Sequence, residues 1–216
     1  MAKLKLGVLI SGRGTNLQAL IDAAADEGYP ADIAVVISNV ADAAGLDRAR
    51  KAGIKTLVID HREFESRAKF DEAVATALET HEVRLVCLAG FMRILTKEFV
   101  DRWRDRIVNI HPSLLPAFKG LNVHERVLES GVRLTGCTVH FIRPEMDEGP
   151  IIAQGAVPVM ADDTPESLAE RVLEVEHRIY PLAVRLIAEG KARVVGDIVT
   201  LPRLEAEGGL LIHPGA

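Results

Sequence analysis

The sequence predicts an α/β protein with an open, twisted, mostly parallel sheet that helices cover on both faces. Short apolar runs alternate with segments in which apolar residues recur at helical spacing. Most of the short runs are apolar at every position, which is typical of strands buried on both faces of a parallel sheet. The connections between these strands should therefore be right-handed crossovers.

The first half of the chain alternates strands and helices regularly. Each predicted helix has an apolar face, such as the one formed by Leu17, Leu20 and Ile21. The predicted strands are Leu4 to Ser11, Ile33 to Ser38, Thr56 to Asp60, Leu85 to Gly90 and Ile107 to His111. The first predicted helix follows Asn16, and the second covers residues 47–50 and ends before Gly53. The third runs from Ser66 to Glu79 and the fourth from Thr96 to Trp103.

The pattern is looser in the second half. The predicted elements are a helix from His124 to Glu129, a strand from Gly136 to Ile142, a strand from Ile151 to Val159 that Gly155 and Pro158 interrupt, and a hairpin or edge strand within Ala192 to Leu201. Asp163 to Glu166 predicts the start of a long helix, with an acceptor side chain before an early proline and a glutamate three residues on. This helix should reach about Glu189, with a kink at Pro181.

Size and composition indicate one domain and exclude several classes of function. The 216 residues suit a domain over 1–190 with a C-terminal extension over 191–216, whose tail beyond about Leu204 should be dispensable. A net charge of −5 without a Lys/Arg cluster argues against nucleic acid. Cys87 and Cys137 lie in apolar runs, as reduced thiols do. No apolar run is long enough for a signal peptide or membrane span, so we expect a cytoplasmic protein.

The strand from Ile107 to His111 carries the first candidate site residues. Side chains on a strand alternate faces, so Asn109 and His111 should share one face and Val108 and Ile110 the other. Pro112 lacks a backbone N–H and ends the strand. An amide and an imidazole therefore stand at the carboxyl end of a strand, which is where ligands bind in open α/β sheets.

A second candidate site is the turn from Gly12 to Asn16, between the first strand and the first helix. Glycines let the backbone approach a ligand, and N–H groups at a helix N-terminus bind anions. Thr15 and Asn16 can cap the helix or bind the anion themselves. A dinucleotide site would need a third glycine where Leu17 stands and an acidic residue at Asn39. The turn therefore favours a single phosphate, and we expect Gly14 to leave space for it.

The acidic loop from Glu145 to Pro150 is the third candidate. A carboxylate there could converge on His111 and fix its orientation and charge. Together with Asn109 this makes an amide, an imidazole and a carboxylate without a Ser or Cys nucleophile, a set that suits direct acyl transfer through a stabilised oxyanion. A metal site formed by His111, His140 and His177 is a weaker alternative.

These segments resemble the folate-dependent glycinamide ribonucleotide formyltransferases. The resemblance rests on Ser11 to Leu17, Ala89 to Leu95, Asn109 to Pro116 and Asp147 to Pro150, and it extends from the first strand to about Glu189. It implies a Rossmann-like formyltransferase fold. The expected activity is transfer of the formyl group of 10-formyltetrahydrofolate to the amine of glycinamide ribonucleotide, in purine biosynthesis.

The resemblance also implies a role for each site residue. The catalytic residues would be Asn109, His111 and Asp147, with His140 supporting the pocket wall and no metal. The ribonucleotide would be bound by Gly12, Arg13, Gly14, Thr15, Asn16 and Glu176. The folate co-substrate would be bound by Arg67, Met92, Arg93, Ile94, Leu95, Asn109, Arg143, Pro144, Glu145, Met146 and Asp147.

Three alternatives share parts of this pattern. A methionyl-tRNA formyltransferase is expected to have a further C-terminal domain and a basic surface, and a formyltetrahydrofolate hydrolase an N-terminal regulatory domain. A non-catalytic nucleotide-binding protein would keep the pocket without turnover. Small-molecule substrates are the expected partners, and the sequence leaves open whether the chain forms a homodimer.

Overall fold

A computed structural model gives the structure of residues 2–202. The predicted dispensability of the tail beyond Leu204 concerns residues outside this range. The boundary expected near residue 190 falls between a long helix and a small hairpin, both of which are described.

The described residues form one central sheet of seven strands in the order β3-β2-β1-β4-β5-β6-β7. Strands β1 to β5 are parallel, whereas β6 is antiparallel to β5 and to β7, which confirms a mostly parallel sheet. The chain returns from β3 to place β4 on the other side of β1, and ligands bind at such a reversal of strand order. The strands are β1 (Leu4–Ile10), β2 (Ala31–Ser38), β3 (Thr56–Val58), β4 (Leu85–Leu88), β5 (Ile107–His111), β6 (Leu134–Phe141) and β7 (Ile151–Pro158).

Helices cover both faces of this sheet, as predicted. One core cluster contains residues of α1, α2, α5 and α6, and a second contains residues of α3 and α4. The helices are α1 (Thr15–Ala24), α2 (Ala44–Lys51), α3 (Arg67–Thr80), α4 (Lys97–Arg102), α5 (Val123–Ser130) and α6 (Pro165–Ala188), with a 3₁₀ turn at His61–Glu63.

The predicted interruption of β7 is wrong. The strand runs through Gly155, which pairs with Cys137 of β6, and it ends only at Pro158. A Cβ atom at Gly155 would lie 2.2 Å from Cγ1 of Val175, so this glycine allows α6 to approach the sheet closely. Gly155 therefore serves the packing of α6 and does not break the strand.

The start of α6 also differs in detail from the prediction. Thr164 is the N-cap, and its hydroxyl accepts the Ser167 N–H while the Ser167 hydroxyl accepts the Thr164 N–H. The capping box therefore uses Ser167 instead of Glu166. The helix continues through Pro181 to Ala188.

The predicted terminal hairpin is confirmed. Strands β8 (Arg193–Val195) and β9 (Ile198–Thr200) pair antiparallel as a separate two-stranded sheet. Among residues 2–202, no helix has the length and apolar character needed to cross a membrane.

Candidate active site

Asn109 and His111 lie together at the carboxyl end of β5, as predicted. In the antiparallel pairing with β6, Asn109 stands opposite His140 and His111 opposite Thr138. His111 is buried and Asn109 half-buried. The carboxyl ends of β1 and β4 reach the same edge of the sheet, which brings the turn after β1 and the loop after β4 beside these residues.

His140 fixes the orientation of the Asn109 amide. Its Nδ1 lies 3.0 Å from the Phe141 carbonyl oxygen, which only accepts, so Nδ1 carries the proton. Burial lowers the pKa of His140 to about 4, and the neutral ring therefore presents an unprotonated Nε2. Asn109 Nδ2 lies 3.4 Å from this Nε2 and donates one of its two N–H groups to it. The other N–H remains for a ligand.

His111 is held between a backbone carbonyl and a carboxylate. Its Nε2 donates to the Phe118 carbonyl oxygen at 3.0 Å. Its Nδ1 lies 3.6 Å from Asp147 Oδ2, within the range of an ion pair but too long for a direct hydrogen bond. Only the imidazolium form can donate on both sides. The predicted convergence of the acidic loop on His111 is confirmed.

The segment from Phe118 to Gly120 links His111 to Asp147, and sequence reasoning did not identify it as part of the site. The Gly120 N–H donates to Asp147 Oδ2 at 2.7 Å, while the Phe118 carbonyl accepts from His111. Both contacts use backbone groups, which leave no signature in residue types. Gly120, with a φ of +83°, was the available signal because it marks a special backbone conformation.

The turn before α1 presents free N–H groups. Gly14 is the N-cap with a φ of +69°, and no side chain caps the helix. Within the described residues, the N–H groups of residues 15–17 have no hydrogen-bond partner. Of the two predicted roles of Thr15 and Asn16, capping of the helix is therefore not found, and binding of the anion stays a prediction. An uncapped helix N-terminus attracts an anion through its N–H groups and its dipole.

Asn16 instead reaches across to Glu176 of α6. Its Nδ2 donates to Glu176 Oε2 at 2.7 Å, and Glu176 is 7% exposed. Burial raises the pKa of Glu176, while the hydrogen bond from Asn16 opposes this shift. Asn16 Oδ1 is buried and has no partner among the described residues. A carboxylate and an amide oxygen beside an anion site together suit a ligand that carries N–H donors.

Most of the residues that the resemblance assigns to folate binding lie on two loops at the same edge, whereas Arg67 begins α3 and Asn109 lies on β5. Met92 is 72% exposed and Ile94 58% on the loop after β4, and Met146 is 57% exposed on the loop before β7. In the described structure the N–H and C=O groups of residues 93–95 make no hydrogen bond to the protein. These loops therefore combine exposed apolar side chains with free backbone groups, a combination that suits a flat ring with polar edges as a ligand.

The profile of the formyl transferase family matches residues 4–184, and thus most of the chain. The chain belongs to the formyl transferase family. The match covers the seven strands of the central sheet, α1 to α5 and most of α6, including the carboxyl edge of the sheet with Asn109, His111 and Asp147.

Individual relatives and solved structures are similar to most of this chain. The Gallus gallus trifunctional purine biosynthetic protein adenosine-3 is 56% identical over 89% of the chain, which spans 19% of that relative's length. The Haemophilus influenzae phosphoribosylglycinamide formyltransferase is 44% identical over 91% of this chain and 93% of its own length. The crystal structure of glycinamide ribonucleotide transformylase 1 from Symbiobacterium toebii has a TM-score of 0.90 and 51% identity, covering 92% of this chain and 94% of that chain.

The two arginines that the resemblance assigns to folate binding, Arg67 and Arg143, differ in their surroundings. Arg67 is exposed at the start of α3. Arg143 is largely buried, and its guanidinium donates to Asp105 at 2.7 Å and to the Ile142 carbonyl at 3.0 Å. Arg143 therefore anchors the base of the acidic loop, whereas Arg67 is available to a ligand.

Of the three histidines of the alternative metal site, His111 and His140 lie close together at one end of the β5–β6 pair. His177 instead lines a groove with Asp22 of α1 and Arg48 of α2. Among residues 2–202, no group of three or more His, Cys, Asp or Glu side chains has the arrangement of a metal site.

The neutral state of His140 predicts a loss of stability in acid. His140 has a pKa of about 6.5 in the unfolded chain and about 4 in the folded protein. Between these pH values the unfolded chain binds more protons, so the stability that is fully present above pH 6.5 is lost as the pH falls. This one group should lower the free energy of unfolding by about 2 kcal/mol between pH 7 and pH 5.

Urea unfolding at both pH values should detect this loss in the wild type and show a smaller one in His140→Gln. Equal losses in the two proteins would contradict the account of His140.

Proposed function

We propose that the protein transfers the formyl group of 10-formyltetrahydrofolate to the amine of glycinamide ribonucleotide, in purine biosynthesis. The observation that carries the proposal is the position of the uncapped α1 N-terminus and buried Glu176 at the edge of the sheet that holds Asn109 and His111. An anion site, an amine site and an acyl-transfer set then lie along one edge. The names of the similar proteins agree with formyl transfer to this ribonucleotide.

The ribonucleotide would bind with its phosphate on the turn before α1. The free N–H groups of residues 15–17 supply the anion donors. The glycinamide end carries an ammonium and an amide N–H, and Glu176 with the unpartnered Asn16 Oδ1 offers acceptors for both. A charge-assisted hydrogen bond to the buried carboxylate favours an ammonium over a neutral group.

The folate would bind between the loop after β4 and the acidic loop. The exposed side chains of Met92, Ile94 and Met146 offer apolar contacts to a ring. The free backbone groups of residues 93–95 can pair with the donors and acceptors of a pterin. Arg67 offers a cation to the glutamate end of the co-substrate.

In the reaction, the bound ammonium first loses a proton. The neutral amine nitrogen then forms a bond to the formyl carbon and gives up a second proton, while the bond from that carbon to N10 of the folate breaks and N10 takes up a proton. The second Asn109 N–H meets the negative charge that develops on the formyl oxygen. Because Nε2 of His111 is committed to the Phe118 carbonyl, we assign its Nδ1–H to the same oxygen. Asp147 stabilises the charged imidazole and accepts the proton that the amine loses, directly or through water.

The phosphate site predicts the effect of a substitution at Gly12. A Cβ atom at Gly12 meets nothing within 4 Å, so its side chain would point into the open space beside the turn. A Cβ atom at Gly14 would lie 2.6 Å from Gly45 Cα, and the φ of Gly14 is +69°. The expectation that Gly14 leaves space for the anion is therefore wrong, because Gly14 allows α2 to approach.

Gly12→Val should weaken ribonucleotide binding by about tenfold or more, through loss of anion contacts worth about 1.5 kcal/mol or more. Folate binding and the free energy of unfolding should change little. Calorimetry with each ligand measures this. Unchanged ribonucleotide affinity would place the phosphate elsewhere.

A spectrophotometric assay with 10-formyl-5,8-dideazafolate tests the proposed function. The protein should release the deformylated folate only when glycinamide ribonucleotide is present. Release at the same rate without the ribonucleotide would identify a hydrolase, and binding of both ligands without release would identify a non-catalytic binding protein.

A further inference from the structure

The side chains of the loop from Phe91 to Thr96 pack against the protein on one side of the loop and are exposed on the other. Phe91 and Leu95 pack against the core cluster under α3, whereas Met92 and Ile94 are exposed between them. This alternation leaves two apolar side chains free for a ligand. Packing of the inward side chains does not by itself fix the backbone groups of residues 93–95, whose positions decide how a pterin pairs with them.

Two side chains from other elements tie the backbone of this loop at its ends. The Met92 N–H donates to Ser11 Oγ at 2.9 Å, and the Thr96 N–H donates to Asp71 Oδ2 at 2.7 Å. Within the described residues, these are the hydrogen bonds that the loop's N–H groups make to the protein. The free backbone groups of residues 93–95 therefore lie between two fixed points.

Asp71 is an unusual residue for its position on α3. It is 3% exposed, and its Oδ1 has no partner among the described residues. Burial raises the pKa of Asp71, against the opposing effects of the Thr96 N–H, Arg67 and Arg93. An apolar side chain of similar size would avoid the cost of burying a carboxylate. What Asp71 adds is an acceptor for the Thr96 N–H.

We propose that Asp71 is a positioning residue for folate binding, holding the end of the 91–96 loop so that the backbone groups of residues 93–95 are set for the pterin. This inference rests on the proposed function. Asp71 does not contact the ribonucleotide turn, so its loss should affect one substrate and leave the other unchanged.

The first test removes the acceptor. Asp71→Ala should raise the Kd of 10-formyl-5,8-dideazafolate about tenfold, because the loop then samples other positions. The Kd of the ribonucleotide should stay within about twofold. Asp71→Asn keeps an acceptor oxygen and should restore folate affinity to within about threefold. Glu72→Ala is the matched control, since Glu72 lies on the same helix and pairs at the surface with Arg102.

The second test removes the donor from the other side. Thr96 has a φ of −70°, which proline adopts, so Thr96→Pro deletes the N–H without straining this residue. Thr96→Ala keeps the N–H and deletes the hydroxyl, which accepts the Phe99 N–H at the start of α4 and also lies beside Asp71. Thr96→Pro should weaken folate binding as Asp71→Ala does, and Thr96→Ala should weaken it much less, because the N–H that Asp71 accepts is kept. The double variant Asp71→Ala/Thr96→Pro should bind folate no more weakly than either single one.

Calorimetry of both ligands on these variants decides the matter. The positioning role would be overturned if neither Asp71→Ala nor Thr96→Pro changed the folate Kd. It would also be overturned if the affinities for folate and for the ribonucleotide fell equally. If Asp71→Ala does not fold, the pair Thr96→Pro and Thr96→Ala gives the answer. A wild-type protein that binds no folate would instead overturn the proposed function, and this inference with it.

Discussion

Asp147→Asn should lower the rate of the chemical step at least 100-fold while both substrates still bind. The change keeps the shape of a half-buried side chain that lies beside His111 and accepts the Gly120 N–H. It removes the negative charge that faces the imidazole and the acceptor for the amine proton. Each lost electrostatic contribution to a transition state is worth about 3 kcal/mol, or about 100-fold in rate.

His111→Ala should cost a similar factor, because it deletes the donor assigned to the formyl oxygen. The two residues act on the same charge, so the double variant should be little slower than the slower single variant. Single-turnover kinetics at saturating substrates measures the chemical step for all three. Glu148→Gln is the control, since this neighbouring carboxylate is exposed and pairs with Lys119 at 2.6 Å. Fully multiplicative losses would mean that His111 and Asp147 act independently.

Glu176→Gln should raise the KM for the ribonucleotide about 100-fold, with a much smaller effect on the KM for folate. Glu176 is a buried carboxylate, and loss of its charge leaves the substrate ammonium without an ionic partner in a dry site. About 3 kcal/mol of binding corresponds to this factor. Since burial raises the pKa of Glu176, the same KM should also rise in acid, as the carboxylate takes up a proton.

A matched control is Glu174→Gln, because Glu174 is exposed on the same helix. Steady-state kinetics with each substrate varied in turn separates the two KM values. An unchanged ribonucleotide KM in Glu176→Gln would remove Glu176 from the amine site and leave its pair with Asn16 as a structural contact.

The parallel strands of the sheet could be predicted from sequence because they are short and mostly apolar. The strand from Ile107 to His111 was predicted at its observed bounds. Gly155 misled the prediction, because a glycine that admits a neighbouring helix looks the same in sequence as one that interrupts a strand. The capping box of α6 contains Ser167 where Glu166 was predicted. Both side chains can accept a backbone N–H at this helix start, and the local sequence does not decide between them.

The candidate site was predictable where polar side chains stand out in apolar strands, as Asn109 and His111 do. The contacts made by Phe118 and Gly120 were not, because backbone groups carry them. Asp71 was also missed, since an acidic residue on a helix is usually exposed and nothing in the sequence places it under the loop after β4. Glu176 was assigned only through the resemblance for the same reason.

The most direct test of the proposed function follows a labelled formyl group. The protein is incubated with 10-[¹³C]formyltetrahydrofolate and glycinamide ribonucleotide, and the products are examined by mass spectrometry. The label should appear on the amine of the ribonucleotide, with one tetrahydrofolate formed for each formylated product. Label recovered as formate, with the ribonucleotide unchanged, would contradict formyl transfer by this site.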